Sequence, residues 1–261
     1  MLKMSKELKK VDNREIKKSK IGKLDLAKIN TKALTKALDD ISIPRLFYQL
    51  VIFVLDASES MTRKGISGNT KGSEIHDQII PIIERLKESK NSNSFDISMY
   101  AFSQNHKEFV SMTTPKDINL SSSFNPCDHV DNYQTFAEPV FLEVEKKIEN
   151  YLTINKNKNS QAMIVFLGDG DIYDYPEVNN ICTRLKSNKK VTILSYLLED
   201  KTWIQFLSKE KLERLQNNIK NMSSKDANGL NFFESKVNPE EIRKHMIKSI
   251  TTVSKINFKS I

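Results

Sequence analysis

No segment of this chain approaches the roughly 18 consecutive apolar residues that a membrane-spanning helix needs, so no span is expected. The opening MLKMSKELKKVDNREIKKSK carries charge without an apolar centre, unlike a secretory signal. Cysteine is scarce. Cys127 and Cys182 are too few for a disulfide framework in 261 residues, and two cysteines do not make a zinc site. Both read as reduced thiols, and the chain as cytoplasmic. Neither GxGxxG nor GxxxxGK[ST] occurs, so nucleotide-binding folds lose their phosphate cradle. No Gly-x-Ser-x-Gly elbow occurs. The four histidines, His76, His106, His129 and His245, are scattered and read as surface or capping residues. These absences point away from an enzyme.

The charge is uneven. Residues 1–45 hold 13 Lys and Arg against 6 Asp and Glu, whereas the rest holds 28 against 27. The basic character therefore belongs to an N-terminal arm, and the body is nearly neutral. Such an arm suits RNA, DNA, an acidic protein or an anionic surface, or is a solvated tail. A nucleic-acid-associated role is the alternative it leaves open, although no aromatic–basic interleaving of an RNA-binding sheet is visible.

The richest stretch is Val51–Met61, VIFVLDASESM. Five apolar residues without polar alternation predict a strand buried on both faces, the habit of a parallel sheet. Asp56, Ser58 and Ser60 then fall where that strand must end, and ligand sites in open α/β sheets lie outside the carboxyl ends of strands. One carboxylate with two hydroxyls at alternate positions makes an oxygen-only half-shell suited to Mg²⁺ or Mn²⁺. The other reading is a Ser-rich turn in which Asp56 caps the next helix.

Along the chain, 24–41 reads as one or two amphipathic helices with Thr31 as a cap and Leu34 and Leu38 buried. After a polar, glycine-bearing loop at 62–73, a helix runs from about Ile75 to Lys90. Strands are expected at 95–102, 107–110, 162–167, 191–198 and 230–233. Further helices are expected at 137–152, 177–186, 203–220 and 239–254. This alternation predicts an α/β fold: a doubly wound, mostly parallel sheet with helices on both faces. The expected layout is a basic helical arm at 1–45 and one domain at 46–261.

Three separate loops carry oxygen ligands: Asp56, Ser58 and Ser60 after the first strand, Thr135 before a helix, and Asp169 after AMIVFL. If the two Asp-ended strands are neighbours, their carboxylates lie side by side. Thr135 can cap its helix or ligate. A dehalogenase-type phosphatase also puts an Asp after its first strand but needs a second two residues on. Position 58 is Ser.

These elements, in this order, resemble a von Willebrand factor type A domain with a metal-ion-dependent adhesion site, of the intracellular bacterial type. The resemblance covers about residues 46–255. It implies a Rossmann-like sheet and a metal set of Asp56, Ser58, Ser60, Thr135 and Asp169. Ser58, Ser60 and Thr135 would stand in or near the primary shell of Mg²⁺ or Mn²⁺, with the two carboxylates acting directly or through water. It also implies a protein partner that presents an acidic residue to the ion, inside a multi-protein system, with no reaction; a metal-dependent hydrolase is the more distant alternative. Departures are Gln134 where Gly is common and Gly168 where Thr is common. The long loop Thr62–Lys71 is expected to bring Arg63, Lys64 and Lys71 to the rim. Asp171 and Asp174 either ligate or form a solvated acidic rim.

Overall fold

The first strand, β1 (Tyr48–Asp56), is buried along nearly its whole length because both of its faces are covered. Leu50, Ile52 and Val54 face one core, and Val51, Phe53 and Leu55 face the other. With side chains alternating across the strand, two apolar sets must interleave, which produces the continuous run in the sequence. Each such side chain contributes about 1.5–3 kcal/mol on burial.

The computed structural model describes residues 45, 47–65, 67–89, 91–198, 206–226 and 229–234. The expected helices at 24–41 and 239–254, with Leu34 and Leu38, lie outside them.

Helix α1 (Lys71–Glu88) follows β1, then β2 (Phe95–Phe102) and β3 (His106–Thr113). Helix α2 (Glu138–Ile154), β4 (Ser160–Gly168), α3 (Tyr175–Ser187), β5 (Val191–Leu197) and α4 (Lys209–Met222) come next. A hairpin of β6 (Lys225–Asp226) and β7 (Gly229–Leu230) precedes β8 (Phe232–Glu234). The six-stranded sheet has the order β3-β2-β1-β4-β5-β8. All of its pairings are parallel except β2 with β3.

Ile75, Ile79, Ile82, Ile83 and Leu86 of α1 recur at helical spacing and cover one face with Val51, Phe53 and Leu55. Residues of α2, α3 and α4, among them Phe141, Val144, Ile181 and Ile219, cover the other. The doubly wound expectation holds. The strand expected at 230–233 is split between β7 and β8, and several boundaries differ. Helix α1 opens at Lys71, because Thr70 caps it by accepting a hydrogen bond from Ser73 N at 3.2 Å. Helix α4 opens at Lys209, capped by Ser208. Strand β3 is an edge strand of eight residues rather than four.

Strand β1 pairs on both sides, with β2 and with β4. The chain leaves β1 toward β2 and later returns on the other side as β4, which makes the β1/β4 boundary the switch point where a crevice opens. Leu55 pairs with Leu167. Asp56 and Asp169 therefore emerge from adjacent strand ends. No described helix is long and apolar enough to cross a membrane.

Candidate metal centre

The loop after β1 is fixed from both sides. Ala57 N donates to Phe102 O at 2.8 Å, and Glu59 N donates to Tyr133 O at 3.1 Å. A short 3₁₀ turn at Glu59–Thr62 buries Met61 beneath it. Asp56 is fully buried, and its Oδ1 accepts from Ser58 N at 2.8 Å. Its Oδ2 is buried with no hydrogen-bond partner. A bare buried carboxylate oxygen costs free energy unless a cation or proton satisfies it. Burial, and after it the charge of Asp169, push the Asp56 carboxyl up to about 7. The hydrogen bonds from Ser58 and the charge of Lys71 pull it the other way.

The hydroxyls converge. Ser58 Oγ and Ser60 Oγ lie 3.1 Å apart, and Ser60 Oγ donates to Asp169 Oδ2. Thr135 reaches the same cavity on a loop held by Ser103, whose Oγ accepts from Tyr133 N at 2.9 Å and donates to Gln134 O at 3.2 Å. Phe136 N donates to Ser103 O at 3.0 Å, and Tyr173 N donates to Thr135 O at 3.0 Å. A cavity of about 480 Å³ is lined by Ser58, Ser60, Thr135 and Asp169. Asp56 is buried behind Ser58 and beside Gly168: a Cβ there would lie 3.1 Å from Asp56 Oδ2 and 2.9 Å from the buried Phe166 ring. This crowding accounts for glycine at position 168. Gly170 adopts φ +86°, and a Cβ on it would lie 2.8 Å from Leu215 O, so only glycine lets the chain turn after Asp169.

The structure brings all five expected residues to one edge. Among the described residues, no cluster of three or more His, Cys, Asp or Glu side chains could hold a metal ion. An ion here must use hydroxyls, as hard divalent cations do. The residues present fit Mg²⁺ or Mn²⁺: two carboxylates, one with an unsatisfied oxygen, and three hydroxyls.

Lys71 lines the cavity, as expected of a residue near the rim, but it is buried there rather than presented to a partner. Its side chain is 4% exposed, and Nζ lies 3.3 Å from Asp169 Oδ2. The Thr70 cap with Glu74 in the first turn was the signal that a helix begins here. The loop before it is closed on itself: Lys71 N donates to Arg63 O at 3.0 Å, Gly65 N to Asn69 O at 2.7 Å, and Ser67 N to Glu74 Oε1 at 2.6 Å. Arg63 lines the cavity and pairs with Glu59, while Lys64 is exposed.

Asp171 lines the cavity with a side chain 48% exposed, and both it and Asp174 have partners in the protein. Asp174 caps α2 from outside, accepting from Ala137 N at 2.9 Å and Glu138 N at 2.7 Å. Asp171 pairs with Lys211 at 3.0 Å and Arg214 at 3.6 Å, which ties the β4 loop to α4. Sequence reasoning does not find Ser103 or the capping role of Asp174, because each acts across loops that only the fold brings together.

Away from the cavity, His76 accepts from Phe124 N, His106 pairs with Glu143, and His129 stacks on Phe109. Cys127 and Cys182 are free, and burial pushes both thiols up to about 12.

A doubly wound sheet with an oxygen-rich loop cluster at its switch point defines a class of ligand-binding α/β domains. The family model for the von Willebrand factor type A domain matches residues 51–244, and the chain belongs to that family. Domains of this family mediate protein interaction and adhesion. Among solved structures, the pilus adhesin SpaC from Lactobacillus rhamnosus GG is similar, with a TM-score of 0.57 at 12% identity. That match covers 78% of this chain and 30% of the adhesin. The PilB minor pilin from Streptococcus sanguinis is similar with a TM-score of 0.51 at 12% identity, covering 85% of this chain and 65% of the pilin. At such identity the likeness is one of fold. The chain spans less than two thirds of the length of either protein. Curated proteins gave no match.

Proposed function

We propose that this domain is a metal-dependent protein-interaction module, and that Asp56, Ser58, Ser60, Thr135 and Asp169 hold one Mg²⁺ or Mn²⁺. The observation that carries the reading is the buried Asp56 Oδ2, which has no hydrogen-bond partner, at the end of a chain of contacts from Asp56 through Ser58 and Ser60 to Asp169. When bound, the ion supplies Lewis acidity toward an incoming carboxylate. The residues of the chain do the rest. Asp56 and Asp169 neutralise charge, the hydroxyls orient without adding any, and the 59–62 turn fixes their spacing.

An acidic residue of a partner protein is the fitting ligand. Arg63 lines the mouth, and Leu198, Leu207 and Leu212 form an apolar wall beside the hydroxyls. Tyr133 and Tyr173 stand 64% and 63% exposed at the same cavity. Exposed aromatics around a polar centre suit a protein interface. We place the domain in the cytoplasm on the strength of its two unpaired thiols, and within a multi-protein system because domains of its family mediate protein interaction. We assign it no catalytic role, since the described histidines are engaged away from the cavity.

The test is a pull-down of partners with and without EDTA, using wild type and Asp56→Ala. Loss of the complex in both EDTA and Asp56→Ala supports the module. A complex that forms equally well without divalent metal removes the ion from the function. Phosphatase or nuclease turnover that needs Asp56 would overturn the non-enzyme assignment.

A further inference from the structure

Lys71 is an unusual occupant of its position. It opens α1, where the helix dipole disfavours a cation, and its side chain is buried. The backbone holds it in place: Lys71 N is bound to Arg63 O, and a Cβ on Gly72 would lie 2.3 Å from Asn125 Oδ1. Gly72 lets the first turn lie against the side chains of Asn125 and Cys127. The ammonium is thereby delivered to Asp169 Oδ2, the oxygen that also accepts from Ser60.

Resting on the metal reading above, we propose that Lys71 is a tethered counter-cation of this site: it competes with a divalent ion for Asp169 and makes that ion's binding depend on an anionic ligand. The charge count gives the reason. Asp56 and Asp169 together bring −2 and Lys71 brings +1, so a divalent ion leaves a surplus of +1. Without Lys71 the loaded site is neutral. The surplus opposes the ion when it arrives alone and is relieved when a partner's carboxylate arrives. Ion and acidic partner then strengthen each other reciprocally. The N-terminus of α1 adds positive potential of the same sign.

The experiment is calorimetric titration of Mg²⁺ into the full chain as wild type, Lys71→Met, Lys71→Gln and Lys71→Arg, with thermal melts in EDTA. Both neutral variants should bind Mg²⁺ about tenfold or more tightly than wild type, because a unit charge is removed at contact range. Lys71→Arg should stay near wild type. In EDTA the neutral variants should melt lower than wild type and recover with Mg²⁺, which separates lost folding from altered binding. Equal affinity in wild type and the neutral variants overturns the role of Lys71 and leaves the metal reading intact. Absence of Mg²⁺ binding in all four proteins overturns both.

Discussion

Lys71 Nζ lies 3.3 Å from Asp169 Oδ2, although 98 positions separate the two residues in the chain. One stands at the start of the first described helix and the other just beyond the fourth strand. The pair therefore ties together the two walls of the crevice. In a buried pair, removing one partner strands the other, at about 3–5 kcal/mol when both are fully dry. Asp169 keeps a 16% exposed side chain, so the cost of Lys71→Ala in EDTA should fall at or below the low end of that range. Chemical denaturation of wild type and variant in EDTA measures it.

Asp174 holds the α2 N-terminus, and through it the loop bearing Thr135. Asp174→Ala should destabilise the protein by about 1–2 kcal/mol, the usual worth of a cap. It should also weaken Mg²⁺ binding without removing a ligand, since Thr135 loses its fixed position. Melting curves and Mg²⁺ titration on one preparation check both effects.

Gly168 leaves room for Asp56 Oδ2 and the Phe166 ring, and a Thr at this position should not fit. Gly168→Thr is expected to lower stability by about 1–3 kcal/mol, as for overpacking of a filled core. Gly168→Ala should show the same direction to a smaller extent. Equal melting temperatures for all three proteins would refute the crowding.

The pH dependence follows from Asp56, whose carboxyl is raised from 3.8 to about 7 by burial and the Asp169 charge. Between those values the folded protein holds a proton that the unfolded chain has released. Stability in EDTA should therefore fall as pH rises through that window, and the slope should flatten in Asp56→Asn. Mg²⁺ displaces the same proton, so its affinity should rise as pH climbs through about 7. Melts and titrations at stepped pH decide the sign.

Much of this was legible in the sequence where burial leaves a pattern. The unbroken run Val51–Leu55 announces a strand covered on both faces, and Ala162–Leu167 does the same one strand over. An Asp following each run predicts neighbouring carboxylates once the strands are parallel neighbours. Lys71 was legible as a rim residue but not as the buried partner of Asp169. Its polar surroundings read as loop, and its pairing with Asp169 exists only because β1 and β4 adjoin. The capping role of Asp174 and the bracing role of Ser103 were hidden for a related reason: their partners are backbone groups on other loops. The two-residue strands β6 and β7 are too short to carry any period.

That the cluster binds a divalent ion is most directly tested by titrating Mn²⁺ into the full chain and reading free Mn²⁺ by electron paramagnetic resonance. Wild type should remove one Mn²⁺ per chain from solution. The Asp56→Ala/Asp169→Ala double variant, folded by circular dichroism, should remove none. Equal depletion by the two proteins would place the ion elsewhere and contradict the assignment of these five residues.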